Sequence, residues 1–421
     1  MTAVSPEQPY ELLESYAAVT GREIIRHLQQ LAEPLKGARV VHVNSTRQGG
    51  GVAEILEKLI PLKRALGLDA VWEVIGGEGS FYDCTKSFHN ALQGLSTDIS
   101  GDLLRAYEET NARNAERLRS SLEMADFVVI HDPQPAALLA HFPERRRPWI
   151  WRCHIDASHP YRPVWKYLRQ WVLPYSASIF SLPQFAQPLP HPQYIIAPSI
   201  DPLSEKNREL SFEEIPELVE GFGFDPYLPM ILQVSRYDRF KDPLGVLKAY
   251  RLTAKLTPLQ LVLAGGEASD DPEGQAVLNE VREEAEGDPR VHVLLLPPTA
   301  HRTINALQRS ADIVLQKSVR EGFGLTVAEG MWKGKPVIGG DTGGIRLQIF
   351  NHYTGFLVRT PEGAALRIRY LLHRRELLRQ MGERARRLVQ ENFLITRHLR
   401  DYLALFLGLE MNTLGRMQIG I

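Results

Sequence analysis

Cysteine is almost absent. Cys84 and Cys153 are the only two in 421 residues, and they sit too far apart for a Cys-x-x-Cys metal site or a disulfide framework, so a reducing cytoplasm is the expected compartment. Charge of one sign is also lacking. Lys+Arg number 49 against 50 Asp+Glu, and a net charge of -1 gives no global basic field for nucleic acid or an acidic membrane surface. No apolar run approaches the ~20 residues of a membrane span, and Met1 to Pro9 carries neither the basic nor the apolar block of a signal peptide. A soluble protein is expected.

Several ligand motifs are missing as well. The nearest approach to a Walker A loop, Gly330-Met331-Trp332-Lys333-Gly334-Lys335-Pro336, fails in spacing and in its last residue. No glycine triplet fits Gly-x-Gly-x-x-Gly after a first strand, which removes the main support for hydride transfer. No two aspartates stand two residues apart and no His-Glu-x-x-His occurs, so no dedicated metal site is expected; the sequence does not indicate magnesium, although it leaves it open.

What is present is alternation. Short apolar, β-branched runs such as Arg39 to Asn44, Ala70 to Ile75, Phe127 to His131, Trp149 to His154, Ile179 to Leu182 and Tyr194 to Ala197 are separated by helical patterns, notably Leu103 to Met124. Between Pro183 and Pro229 the chain turns proline-rich and polar. A second series then runs from Met230 to Ser235 through Leu259 to Ala264, Val291 to Leu296, Ile313 to Gln316 and Pro336 to Gly339 to Phe356-Leu357-Val358. The expected fold class is α/β, two Rossmann-like parallel-sheet domains facing a central cleft. We assign 1–208 to the first, 209–392 to the second, and 393–421 to a C-terminal helix that packs back on the first.

Two stretches carry chemistry. Glu321-Gly322-Phe323-Gly324-Leu325-Thr326-Val327-Ala328-Glu329 turns from a strand into a helix between two carboxylates, and a helix start offers free N–H groups to an anion. Ser235-Arg236-Tyr237-Asp238-Arg239-Phe240-Lys241-Asp242 lies at the C-terminal end of the second domain's first strand. There Arg236 can fork to two phosphate oxygens while Lys241 supplies a compact charge, although both could instead be surface cations paired with Asp238 and Asp242. In the first domain Ser45-Thr46-Arg47-Gln48-Gly49-Gly50-Gly51 joins a strand to a helix in the same manner.

These residues resemble the retaining glycosyltransferases of the GT-B fold, whose signature is Arg, a Lys five residues later, and a Glu followed by seven residues and a second Glu. Here those are Arg236, Lys241, Glu321 and Glu329. The resemblance is closer to the trehalose-forming members through His42-Val43-Asn44-Ser45-Thr46, His131-Asp132-Pro133-Gln134-Pro135, Trp151-Arg152-Cys153-His154-Ile155-Asp156 and Ser199-Ile200-Asp201-Pro202-Leu203-Ser204-Glu205-Lys206-Asn207, and it covers nearly the whole chain.

The resemblance implies a retaining transfer of glucose from a nucleotide-diphosphate glucose, UDP- or ADP-linked, to free glucose, reversibly. By that analogy His154, Arg236, Lys241 and Glu321 are catalytic. The nucleotide sugar would be held by Gly50, Gly51, Arg236, Lys241, Glu321, Gly324, Leu325, Thr326 and Glu329, with Glu321 on sugar hydroxyls and Glu329 on the ribose. Asn44, Gln48, Asp132, Gln134, Arg152 and Asp156 are assigned to the acceptor glucose. A front-face mechanism needs no enzyme nucleophile, and domain closure would exclude water.

Expected partners are therefore small molecules, namely the nucleotide sugar (a substrate, not a cofactor), glucose and trehalose; no nucleic acid and no membrane are expected, and a homodimer is compatible with the sequence. Many relatives continue the later glycine pair as Gly-Gly-Ile-Pro-Glu, whereas here Gly343-Gly344-Ile345 is followed by Arg346 and Leu347, so no contact is carried over from that Glu. Two other readings remain: a trehalose phosphorylase using the same cations for inorganic phosphate, and a catalytically silent nucleotide-sugar sensor.

Overall fold

The computed structural model describes residues 7–47, 50–266 and 272–410. In chain order the first part contains α1 (Glu7–Thr20), α2 (Arg22–Ala32), β1 (Arg39–Asn44), α3 (Gly51–Ala65), β2 (Asp69–Val74), α4 (Gly79–Leu92), α5 (Gly101–Glu123), β3 (Phe127–His131), β4 (Trp149–Cys153), α6 (Arg162–Val172), β5 (Ala177–Phe180) and β6 (Gln193–Ile195). The second contains α7 (Glu214–Val219), β7 (Met230–Val234), α8 (Pro243–Ala254), β8 (Gln260–Gly266), α9 (Pro272–Ala285), β9 (Val291–Leu296), α10 (His301–Ser310), β10 (Ile313–Gln316), α11 (Leu325–Trp332), β11 (Val337–Gly340), α12 (Ile345–Gln348), β12 (Gly355–Val358), α13 (Pro361–Leu372) and α14 (Arg375–Asn392). Helix α15 (Ile395–Glu410) follows. Helices α1 and α2 are separate because Gly21 adopts φ 98° between them.

The chain divides into two compact units: Ser199–Leu394, and the residues up to Pro198 together with those from Ile395. The division falls ahead of residue 208 for a physical reason. The Asn207 carbonyl accepts from the Trp332 indole at 3.1 Å, its side chain accepts from Lys333 at 2.7 Å, and the Arg208 carbonyl accepts from Asn305 at 2.8 Å, so these residues belong to the second unit. Helix α15 packs on α2 and α3, and Arg397 donates to the carbonyls of Ala197 at 2.8 Å and Pro198 at 3.0 Å.

Each unit is built on a parallel six-stranded sheet. In the first the order is β2-β1-β3-β4-β5-β6, and β3, β4 and β5 are buried along their whole length, as strands covered by helices on both faces must be. In the second the order is β12-β11-β10-β7-β8-β9, the doubly wound arrangement in which the direction of winding reverses between the first and fourth strands of the unit. Its core is aliphatic and aromatic, centred on Ile231, Tyr250, Leu261, Ile313, Ile338 and Phe356. Ligands of such sheets lie beyond the carboxyl ends of the strands at the reversal point. That place is beyond β7 and β10 in the second unit, and beyond β1 and β3 in the first.

Candidate active site

In the second unit, the loops leaving β7 and β10 are the two stretches that carry chemistry. They are tied by the Val319 N–H donating to the Phe240 carbonyl at 2.8 Å. Asp238 caps the single turn Arg239–Lys241 by accepting from the Phe240 N–H at 2.6 Å, which turns the lysine back toward β10. Lys241 Nζ then meets Glu321 Oε2 at 2.7 Å, with side chains only 17% and 11% exposed, and Ser318 Oγ donates to the same oxygen at 3.2 Å. The two families of charge expected to act together are thus in contact. Asp242 does not pair with Lys241; it pairs with the buried Lys317. Arg236 stands exposed at the end of β7, 3.2 Å from Asp238.

The turn after Glu321 is fixed by glycines. Gly324 adopts φ 82° at the cap of α11, so Leu325 and Thr326 form the first turn, where no intrahelical carbonyl reaches the N–H groups. Gly343 and Gly344 press on this loop from beneath. A Cβ on Gly343 would collide with the Glu321 carbonyl oxygen and one on Gly344 with Phe323, while Gln348 donates to the Phe323 carbonyl at 2.6 Å. The Gly343-Gly344 pair therefore has a packing role of its own beneath the Glu321 loop. Glu329, in the second turn, is 3% exposed, with Gln308 Nε2 at 3.4 Å and Lys206 Nζ at 3.8 Å. The structure gives the two glutamates separate surroundings: Glu321 borders the loop, and Glu329 is inside.

In the first unit, Gly50 adopts φ 79° and caps α3, whose first residue is Gly51. Gln48 lies outside the described residues. Asn44 is buried and uses both ends of its amide on the protein, accepting from the Trp72 indole at 2.8 Å and donating to the Thr46 carbonyl at 2.7 Å, so it shapes the start of the loop. Asp132 adopts φ 64° and accepts from the His154 N–H at 2.7 Å. Burial pushes its carboxyl up to about 7, against the opposing effects of that hydrogen bond and of Arg152. Arg152 is fully buried on β4; one of its nitrogens lies 3.5 Å from Ser181 Oγ, and Nε and the other amino nitrogen have no hydrogen-bond partner among the described residues. Asp156 accepts from Ser158 N at 3.0 Å and Oγ at 2.6 Å, and the Gln134 carbonyl accepts from Asn111 at 3.1 Å.

His154 is half-buried just beyond β4, and it does not stand alone. Its Nε2 lies 3.0 Å from Nδ1 of His131, whose Nε2 lies 2.9 Å from Nδ1 of His42, whose Nε2 lies 2.6 Å from Nζ of Lys63. The sequence signals for this row were a lysine on the apolar face of α3, at i+3 from Ile60 and i+4 from Leu59, and three histidines, one inside β1, one closing β3 and one just past β4. Neither marks a site by itself. Burial, then Arg152 and the neighbouring histidines, holds His154 well below the usual histidine range. Among the described residues no cluster of three or more His, Cys, Asp or Glu could hold a metal ion.

Comparison with known proteins shows the family of the chain. Residues 42–187 match the family described as "Trehalose synthase, N-terminal domain", and residues 215–388 match "Glycosyl transferases group 1". A trehalose synthase of Pyrococcus horikoshii is 46% identical over 408 residues, covering 96% of each chain. A trehalose phosphorylase of Pleurotus pulmonarius is more distant, at 28% identity over 85% of this chain and 54% of that protein. Among solved structures, a UDP-forming α,α-trehalose-phosphate synthase of Burkholderia xenovorans superposes with a TM-score of 0.70 at 15% identity, covering 89% of this chain and 99% of that one, a likeness of fold. With two parallel six-stranded sheets and full-length kinship of this order, the chain belongs to the trehalose synthase family of GT-B glycosyltransferases.

Proposed function

We propose that this enzyme transfers glucose from a nucleotide-diphosphate glucose to free glucose with retention, giving trehalose, and runs the reaction in both directions. The observation that carries the reading is the Lys241–Glu321 contact of 2.7 Å at the winding reversal of the second sheet, beside the open first turn of α11. An ammonium has three N–H donors, so Lys241 can keep one on Glu321 and turn others to a phosphate oxygen. Glu321, acceptor-only when ionised, then takes hydrogen bonds from sugar hydroxyls. As the bond between C1 and the diphosphate oxygen breaks, the negative charge meets Lys241, Arg236 and the N–H groups of Leu325 and Thr326. The acceptor hydroxyl forms the new C1–O bond and yields its proton to the departing phosphate oxygen. Glu329 serves the ribose, and His154 the hexose.

The test is a screen with purified protein: UDP-glucose or ADP-glucose plus glucose, read by the appearance of α,α-linked disaccharide and free nucleoside diphosphate. Absence of disaccharide with every nucleotide sugar would refute the assignment. Trehalose breakdown by inorganic phosphate without nucleotide would replace it with a phosphorylase, and calorimetric binding of UDP-glucose without turnover would replace it with a sensor.

A further inference from the structure

The row Lys63, His42, His131, His154 is built by the sheet itself. His42 on β1 pairs in register with Val129 of β3, and His131 of β3 pairs with Arg152 of β4. Residues two apart share a face of a strand, so each step from His42 to His131 to His154 crosses one strand and advances two residues on one face. Helix α3 lies over this sheet and ends the row with Lys63, which is fully buried. The rings stack as they climb, His42 on His131 at 5.2 Å and His131 on His154 at 5.3 Å between centroids.

Every link has the same sense. Each ring turns Nε2 toward Lys63, and His42 and His131 turn Nδ1 toward the next ring. A neutral imidazole carries hydrogen on one nitrogen only, and each hydrogen bond needs one donor, so the tautomer of any ring fixes the others. Two arrangements follow. With Lys63 as ammonium, which can only donate, all three rings carry hydrogen on Nδ1 and His154 offers an N–H outward. With Lys63 as an amine accepting from His42, all three carry it on Nε2 and His154 offers a lone pair at Nδ1. The first holds one proton more than the second. A proton received at Nδ1 of His154 forms one N–H bond and breaks one at each ring in turn, and ends on Lys63 with all rings neutral.

The far end suits both forms. Lys63 Nζ lies over the ring faces of Tyr402 at 4.5 Å and Phe406 at 4.8 Å, which favour an ammonium, whereas burial pushes it well below the ordinary lysine range and brings the amine within reach. Around the row stand His398, Arg397 and Tyr402 from α15, Arg152 from β4 and Asp132 after β3. We propose that Lys63, His42 and His131 form a one-proton relay that sets whether Nδ1 of His154 meets the bound sugar as a hydrogen-bond donor or acceptor. They are positioning residues, and the part concerning the sugar rests on the proposed transfer.

The test is independent of that transfer. In protein labelled with 15N at histidine, multiple-bond correlation spectra report which ring nitrogen carries hydrogen, and single histidine variants assign the signals. In the wild type His42, His131 and His154 should show one common tautomer at each pH, passing together from Nδ1–H at low pH to Nε2–H at high pH. Lys63→Met, similar in shape, should abolish that common step while turnover falls about 100-fold with KM unchanged. His42 and His154 in opposite tautomers in the wild type, or an unaltered common step in Lys63→Met, would overturn the relay. The wild-type spectrum decides even where the variant does not fold. Common tautomers without any disaccharide synthesis would leave the relay standing and sink the glucose-transfer assignment alone.

Discussion

Replacing Lys241 by Met separates what the Lys241–Glu321 contact does for folding from what it does for chemistry. The variant keeps the stem of the side chain and removes the charge, leaving Glu321 with Ser318 at 3.2 Å as its one other side-chain hydrogen bond among the described residues. The pair is neither exposed nor fully enclosed, at 17% and 11%, so the stability cost falls between the ~0–1 kcal/mol of surface pairs and the ~3–5 kcal/mol of broken buried ones, about 2 kcal/mol. The chemical cost is larger. A preorganised charge lost from a developing diphosphate anion raises the barrier by about 3–4 kcal/mol, a turnover loss of roughly 100- to 1000-fold. Glu321→Gln in the Lys241→Met background removes the unpaired carboxylate and should restore most of the thermal midpoint without restoring turnover. Steady-state kinetics and thermal unfolding of the two single variants and the double variant test this. A turnover loss below tenfold in Lys241→Met, or recovery of turnover with the midpoint in the double variant, would refute the reasoning.

Glu329→Ala should weaken nucleotide binding more than acceptor binding, and should also lower the thermal midpoint, because Lys206 loses the carboxylate 3.8 Å away and the buried Lys333 loses that carboxylate's favourable charge while keeping its bond to the residue 329 carbonyl; calorimetry and thermal unfolding report the two effects, and an unchanged midpoint would contradict the burial argument. Gly343→Ala places a methyl group on the Glu321 carbonyl at φ 43°, so we expect a loss of about 2–4 kcal/mol and most activity, read by denaturant midpoint and turnover. Asp132, raised from 3.8 to about 7, binds its proton more tightly folded than unfolded, so its contribution to stability falls as pH rises from about 4 to 7. Asp132→Asn keeps the acceptor for the His154 N–H and tolerates the positive φ; it should flatten that slope and gain up to about 4 kcal/mol above pH 7. An undiminished slope in pH-dependent unfolding would show the carboxyl to be ionised throughout.

Much of this protein was legible in its residues alone. Alternating apolar runs and helical patterns determined two parallel-sheet units, since only helices on both faces can cover strands such as Phe127–His131 that are buried throughout. The spacing of Arg236, Lys241, Glu321 and Glu329 identified the loops at one sheet's carboxyl edge. Tertiary structure decided which of those groups meet. Asp238 capping and the Phe240–Val319 bond bring Lys241 onto Glu321, while packing carries Glu329 inward to Lys206. It also decided the unit boundary, because residues 199–208 are held by hydrogen bonds to helices more than ninety positions away, such as Asn305 to the Arg208 carbonyl at separation 97. Least legible was the histidine row. His42, Lys63, His131 and His154 are spread along the chain, and no local pattern records that a parallel sheet, with two residues of stagger per strand, lines them up into one hydrogen-bonded path.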